Sequence, residues 1–220
     1  MATYPKTSLN KVQRGAKRAS YDIETVNQIL DADFMGYVGY AYKGRAISLP
    51  MAYGRENNKI YLHGSLKNRM LLTLLEAEDI SMTVMHLNGL VLARSGLHHS
   101  VNYRSATLFG KLKKVTDSLE KEKGLKCVID QMIPGRWENL RPILEKELNG
   151  TLVAEMVIET ASAKIRDVGV HDEKSDMELP IWAGIVPIKQ LAETPQSDPY
   201  LPEGVAIPEH IDNYVNKNSK

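Results

Sequence analysis

The chain has a single cysteine, Cys127, among 220 residues. One thiol excludes an intramolecular disulfide and any zinc site built from several cysteines. Cys127 lies in Gly124-Leu125-Lys126-Cys127-Val128-Ile129, a segment expected to be helical, so a packed thiol is the reading rather than a nucleophile. An excess of one charge is missing too. The 28 basic and 27 acidic side chains leave a formal charge of +1, which gives no reason to invoke nucleic acid or a membrane surface. No apolar run approaches the roughly 18 residues that a membrane-spanning helix needs. Residues 1–20 are basic but carry no apolar core of a secretion signal, so a cytoplasmic location is expected. Several chemical signatures are also lacking. No G-x-G-x-x-G follows a strand and no G-x-x-x-x-G-K-[ST] occurs, which removes the Rossmann and P-loop readings. No G-x-S-x-G nucleophile elbow occurs. His63, His86, His98 and His99 do not share metal-ligand spacing, and adjacent histidines in an extended segment point to opposite sides, so no metal is expected.

What remains is a chain 43% hydrophobic, enough for a sizeable core. Residues 1–20 read as a polar arm, 21–190 as the folded domain and 191–220 as an extended tail. Asp22 is placed to cap a short helix with Ile23, Val26, Ile29 and Leu30 on one face. Strands are expected from Met35 to Tyr42, Ala46 to Tyr53 and Lys59 to Leu62, joined by a turn at Lys43-Gly44 and another through Gly54 to Asn58. Such short connections signal antiparallel hairpins. A helix is expected from about Leu66 to Ala77, then a strand from Ile80 to Met85. Residues 87–100 look irregular. A long strand is expected from Val101 to Val115, a helix opened by Asp117-Ser118 up to about Met132, and another from Trp137 to Leu148. Thr151 to Ile158 and Ala163 to Val170 read as two final strands. The proline-rich segment after Asp172 reads as extended, with an apolar island from Ile181 to Val186. About six antiparallel strands with interspersed helices suggest a mainly β fold with α additions, a small closed barrel.

The most informative stretch is Tyr61-Leu62-His63-Gly64-Ser65-Leu66-Lys67-Asn68-Arg69. A strand ends, a helix begins, and a hydroxyl, an ammonium and a guanidinium fall within five residues. Free N–H groups at a helix start attract anions, and Ser65, Lys67 and Arg69 make the turn suited to phosphate. Taken alone, the segment also suits a Ser-capped helix with solvated charges. Ser100-Val101-Asn102-Tyr103-Arg104-Ser105 is a second polar cluster, fit for a planar polar ligand or for an ordinary strand edge. Arg45, at a strand start, is within the reach of a bidentate phosphate contact.

In order along the chain, these segments resemble the FMN-binding split-barrel proteins related to pyridoxamine 5'-phosphate oxidase, and within them the branch that includes nitroimidazole-resistance proteins. The matching pieces are Arg18-Ala19-Ser20-Tyr21-Asp22, Ile60 to Ser65 with Lys67 and Arg69, Ser100 to Ser105 followed by Gly110, the pair Lys164 and Arg166, and Trp182-Ala183-Gly184-Ile185-Val186-Pro187. The resemblance implies a six-stranded antiparallel split β-barrel of Greek-key type. It implies a homodimer with FMN in two interface clefts. It puts Ser65, Lys67 and Arg69, with Asn68 between them, at the flavin phosphate. Main chain near Leu62 and His63 would pass the flavin ring, and Arg45, Ala46, Ile47 and Ser48 would line it. Asn102, Arg104 and Ser105 would touch cofactor or partner, and Trp182 would come from the dimer mate. Residues 200–220 lack the basic motif of the vitamin B6 oxidases, and Pro50 stands where those enzymes commonly have a basic residue. The implied activity is therefore flavin-dependent reduction of an unidentified small molecule, with His63 as the candidate catalytic group. A non-enzymatic flavin binder and a haem-binding split barrel with His98 or His99 as axial ligand are the alternatives.

Overall fold

In a computed structural model of the chain, residues 2–219 are described. Helix α1 spans Ile23–Asp31 and is capped as expected: the Asp22 carboxylate accepts the Thr25 N–H at 2.8 Å. Its periodic residues Val26, Ile29 and Leu30 are buried. Strands β2 (Met35–Tyr42) and β3 (Arg45–Ala52) form a hairpin in which Tyr42 faces Arg45. Lys43 and Gly44 both take positive φ, 50° and 73°, the backbone of a two-residue turn whose twist matches the strands. Gly54–Glu56 is a short strand, β4, rather than turn, and pairs with β5 (Lys59–Ser65).

Further departures have local causes. The expected helix from Leu66 is shorter. Helix α2 spans Arg69–Leu75 and is capped by Asn68, whose Oδ1 accepts the Leu71 N–H at 3.1 Å, while Ser65 is the last residue of β5. Strand β6 (Ile80–Leu92) runs through the segment expected to be irregular. A bulge between Leu87 and Gly89 breaks its alternation, yet β7 (Ser100–Lys114) on one side and β9 (Gly184–Pro187) on the other satisfy its backbone. The two final strands are one, β8 (Thr151–Arg166), which absorbs a bulge opposite Phe109/Gly110. Helix α3 (Ser118–Met132) matches expectation. The next expected helix does not form as one piece: only the 3-10 turn Trp137–Asn139 and α4 (Glu145–Gly150) are helical, with Pro142 between them. The tail is not wholly extended, since it holds β9 and a helix, α5 (Glu209–Asn218).

The sheet has nine strands, not six, all antiparallel, in the order β3-β2-β6-β7-β8-β5-β4, with β1 (Ala19–Ser20) on β8 and β9 on β6. No ladder among the described residues closes it. Strand β3 approaches β5 to within 8 Å between Cα atoms, but the two are not paired. The result is a barrel with a seam. Val38, Leu62, Met82, Leu108 and Met156 fill its interior with α1 and α2. Each such burial is worth about 1.5–3 kcal/mol. A second core, with Tyr61, Leu125, Val128 and Val153, lies where α3 covers the outside of β5 and β8. The N-terminal arm packs on the sheet: Tyr4 is buried and the Asn10 amide donates to the Ala161 carbonyl at 2.9 Å.

Candidate functional site

The seam is where the candidate residues from distant segments meet. Strand β4 pairs with β5 only from Lys59 to Tyr61. Beyond Tyr61, the edge of β5 from Leu62 to Ser65 that faces the seam is in no ladder among the described residues, and neither is the outer edge of β3. Unpaired N–H and C=O groups on two neighbouring strand edges are hydrogen-bonding capacity awaiting a partner. The Leu62 side chain points into the core and is 1% exposed, so only its main chain can serve a ligand. Arg45, Ala46 and Ser48 on β3 are exposed and Ile47 is half-buried.

Three cations lie on the turns at one end of the seam. The Arg69 guanidinium lies 4.7 Å from the centroid of the Tyr42 ring, and Tyr42 is the cross-strand partner of Arg45. Lys67 lies in the turn between β5 and α2, closed by the Asn68 N–H donating to the Ser65 carbonyl at 2.9 Å. Among the described residues, none of the nine ion pairs uses Arg45, Lys67 or Arg69. The aromatic face steers Arg69 without neutralising it. Asn68 is committed to capping α2. Nothing in the linear pattern marks Tyr42 as part of this group; its only signal is its place opposite Arg45 across a two-residue turn.

His63 is half-buried beside Val153 of β8. Its Nδ1 is buried without a hydrogen-bonding partner, and burial pushes its pKa below 6.5. Burial thus disfavours the charged ring, and one nitrogen is left unsatisfied. Cys127 is half-buried and its thiol is pushed up to about 11 by burial, which makes it unreactive near neutral pH.

Other candidates sit elsewhere in the protomer. Asn102, Arg104 and Ser105 are on β7, separated from β3 by β2 and β6, and from β5 by β8. Asn102 is buried and occupied: its Oδ1 accepts from Arg166 Nη1 at 2.6 Å and from the Val168 N–H at 3.3 Å. Arg104 Nη1 donates to Asn88 Oδ1 at 3.0 Å, and Ser105 Oγ donates to the Lys164 carbonyl at 3.4 Å. Trp182 is 66% exposed, with its ring folded against Gly184 just before β9. His86 Nε2 donates to the Ile29 carbonyl and His99 Nδ1 to the Ser95 carbonyl, each at 2.9 Å. His98 Nε2 lies 3.5 Å from Glu173 Oε1, and its ring meets that of His171 edge-on at 5.7 Å. Among the described residues no group of three or more His, Cys, Asp or Glu is placed to hold a metal ion. No helix of the described residues is long and apolar enough to cross a membrane.

The fold and seam define an antiparallel split-barrel protein. The family model for pyridoxamine 5'-phosphate oxidase matches residues 22–165. The chain belongs to that family. It is 37% identical to the flavocytochrome Anf3 from Azotobacter vinelandii, with 94% of this chain and 96% of that one covered and a TM-score of 0.89. It is 30% identical to a FAD and heme binding protein from Mycobacterium smegmatis, covering 90% and 97% of the two chains with a TM-score of 0.85. A putative 5-nitroimidazole antibiotic resistance protein from Bacteroides thetaiotaomicron shares the fold, at 19% identity, 67% and 86% coverage and a TM-score of 0.58. No curated protein matches the chain.

Proposed function

We propose that the protein binds a flavin nucleotide at the β3–β5 seam and acts as a flavin-dependent oxidoreductase on a small molecule. The observation that carries this reading is the group of unneutralised cations, Arg45, Lys67 and Arg69, at the end of a seam edged by free main-chain groups. These residues fit a flavin phosphate, and Ser65 adds a hydroxyl beside them. The resemblance implies FMN. FAD carries the same phosphate on its ribityl chain, there joined to a second phosphate, and the name of the relative of 30% identity favours FAD as the form taken here. Bound flavin would supply the hydride or electron transfer. The chain's own part is to hold the phosphate, to present the β5 edge and β3 to the ring, and to disfavour the charged form of His63 beside it.

Asn102, Arg104, Ser105 and Trp182 enter this reading through a homodimer. One protomer keeps them apart from the seam; of the four, Ser105, opposite Met85, and the exposed Trp182 are placed to meet a second copy, while Asn102 is buried and would act only by holding Arg166. Supporting the dimer, Tyr37, Met85 and Leu87 share the outer face of β2 and β6, uncovered by any helix, and are 52%, 49% and 39% exposed. Trp182 is the aromatic anchor on the same protomer's tail. A second reading adds haem, favoured by the names of the two relatives of 37% and 30% identity. His98, with Glu173 beside its Nε2, and His99, whose Nδ1–H donates to main chain and leaves Nε2 free, would each have a ring nitrogen to hold haem iron. An absorption spectrum of the purified protein, followed by mass identification of the released cofactor, tests both. Flavin bands support the first reading, and an additional Soret band the second. A colourless protein that takes up no flavin on titration refutes the proposal.

A further inference from the structure

The N-terminal arm and the end of β8 gather five cations away from the seam. Arg14, Lys17, Arg18 and Lys164 line a surface concavity of about 590 Å³. Gly15, at φ 71°, turns the arm against Lys164: a Cβ on Gly15 would stand 3.5 Å from Lys164 Cε and 3.7 Å from Nζ. The arm is pinned, not loose. Ala19 pairs with Lys164 in the β1–β8 ladder, and Asn10 is tied to the Ala161 carbonyl. Two residues beyond Lys164, Arg166 is 6% exposed. Its Nη1 is held by Asn102 at 2.6 Å, and its Nε is buried with no partner. Burial and the nearby Arg18 push Arg166 below the ordinary arginine range. None of the nine ion pairs among the described residues uses any of these five side chains.

Packing does not explain this arrangement. A buried guanidinium without a counter-charge costs stability, and the nearby Arg18 adds repulsion, as do the like charges that share the concavity. Both costs are offset when an anion binds. One negative charge would leave most of the cluster uncompensated, so the match is to a ligand with several. The planar fork of arginine suits phosphate or carboxylate oxygens. We propose that this concavity is a binding site for a multiply charged oxyanion, either paired phosphates or paired carboxylates on one ligand. Within a protomer it is separate from the seam. Strand β8 starts at Thr151, opposite Ser65, and ends at Arg166, so the two sites lie at opposite ends of that strand.

The test is calorimetric titration of the full-length protein, with whatever cofactor it carries, using inorganic pyrophosphate and, separately, succinate at low ionic strength. Saturable binding of either supports the site, and the tighter probe names the source of the oxyanion. The double variant Arg18→Gln/Lys164→Gln, one side chain exposed and the other half-buried, should bind that probe about a hundredfold more weakly, since each of the two lost charge-assisted contacts is worth about tenfold. It should keep its flavin content, because Arg45, Lys67 and Arg69 are untouched. Binding of neither probe, or equal affinity in the double variant, overturns the proposal. Loss of flavin from the double variant would assign these cations to the flavin cleft and overturn the claim of a separate site. A protein without flavin that still binds pyrophosphate through these residues would leave this site standing while the flavin reading fails.

Discussion

At the scale of single residues, the proposed phosphate contacts and His63 yield the sharpest outcomes. Removing Lys67 and Arg69 together to Ala deletes two charge-assisted contacts, each worth about 1.5–3 kcal/mol. Fluorescence titration should then show a large rise in the flavin dissociation constant, and riboflavin should bind the unaltered protein far more weakly than its phosphorylated forms. Equal affinity for riboflavin and FMN would remove the phosphate from this loop. His63 tests the sign of a buried imidazole. Its folded pKa is depressed by burial, so between that value and 6.5 the unfolded chain binds more protons than the folded one. The stability it contributes is therefore present above 6.5 and lost as pH falls through the folded value. Denaturant midpoints of the native protein should drop more than those of His63→Gln between about pH 7.5 and about pH 5.5. Parallel curves would mean that the imidazole is as solvated in the fold as outside it.

At the scale of elements, α3 shows how local signals and close approach combine. Asp117 accepts the N–H groups of Leu119 and Glu120, each at 3.0 Å. Asp117→Ala should cost about 0.5–2 kcal/mol, read as a lower melting temperature. The contact of α3 with β4 is tighter than any side chain allows. A Cβ on Gly54 would stand 2.4 Å from the backbone carbon of Cys127. Gly54→Ala must push the helix from the strand, at about 1–3 kcal/mol or more. Gly96→Ala, where a Cβ meets nothing within 4 Å, is the control and should melt close to the native protein. The caps of α1 and α3 are legible in the sequence because they are made within three residues of the helix start. The lengths of β6 and β8 are not, because each strand crosses a bulge that only its neighbours' hydrogen bonds sustain.

At the scale of the molecule, the outer sheet face and the tail bear on assembly. Two copies joined across Tyr37, Met85 and Leu87 would also enclose Ser105, the cross-strand partner of Met85 on the same face of β7. Flavin that bridges them stabilises the dimer by mass action. Sedimentation of Trp182→Ala should show a shift towards monomer together with weaker flavin retention, whereas a fully flavin-loaded monomer of the native protein would rule out a shared cleft.

By itself the sequence determined the antiparallel hairpins, the family, and the residue types suited to phosphate at Ser65, Lys67 and Arg69. Turn chemistry, caps and charge are properties of adjacent residues. The tertiary structure alone decided that Arg69 stacks on Tyr42 opposite Arg45, that the barrel stays open between β3 and β5, and that Asn102 is occupied by Arg166. It also decided that Asn68, not Ser65, caps α2, since β5 stays paired with β8 through Ser65 and keeps it from the cap. These outcomes depend on which strands become neighbours. Strand order is set by burying one common core, and no segment's own pattern contains it.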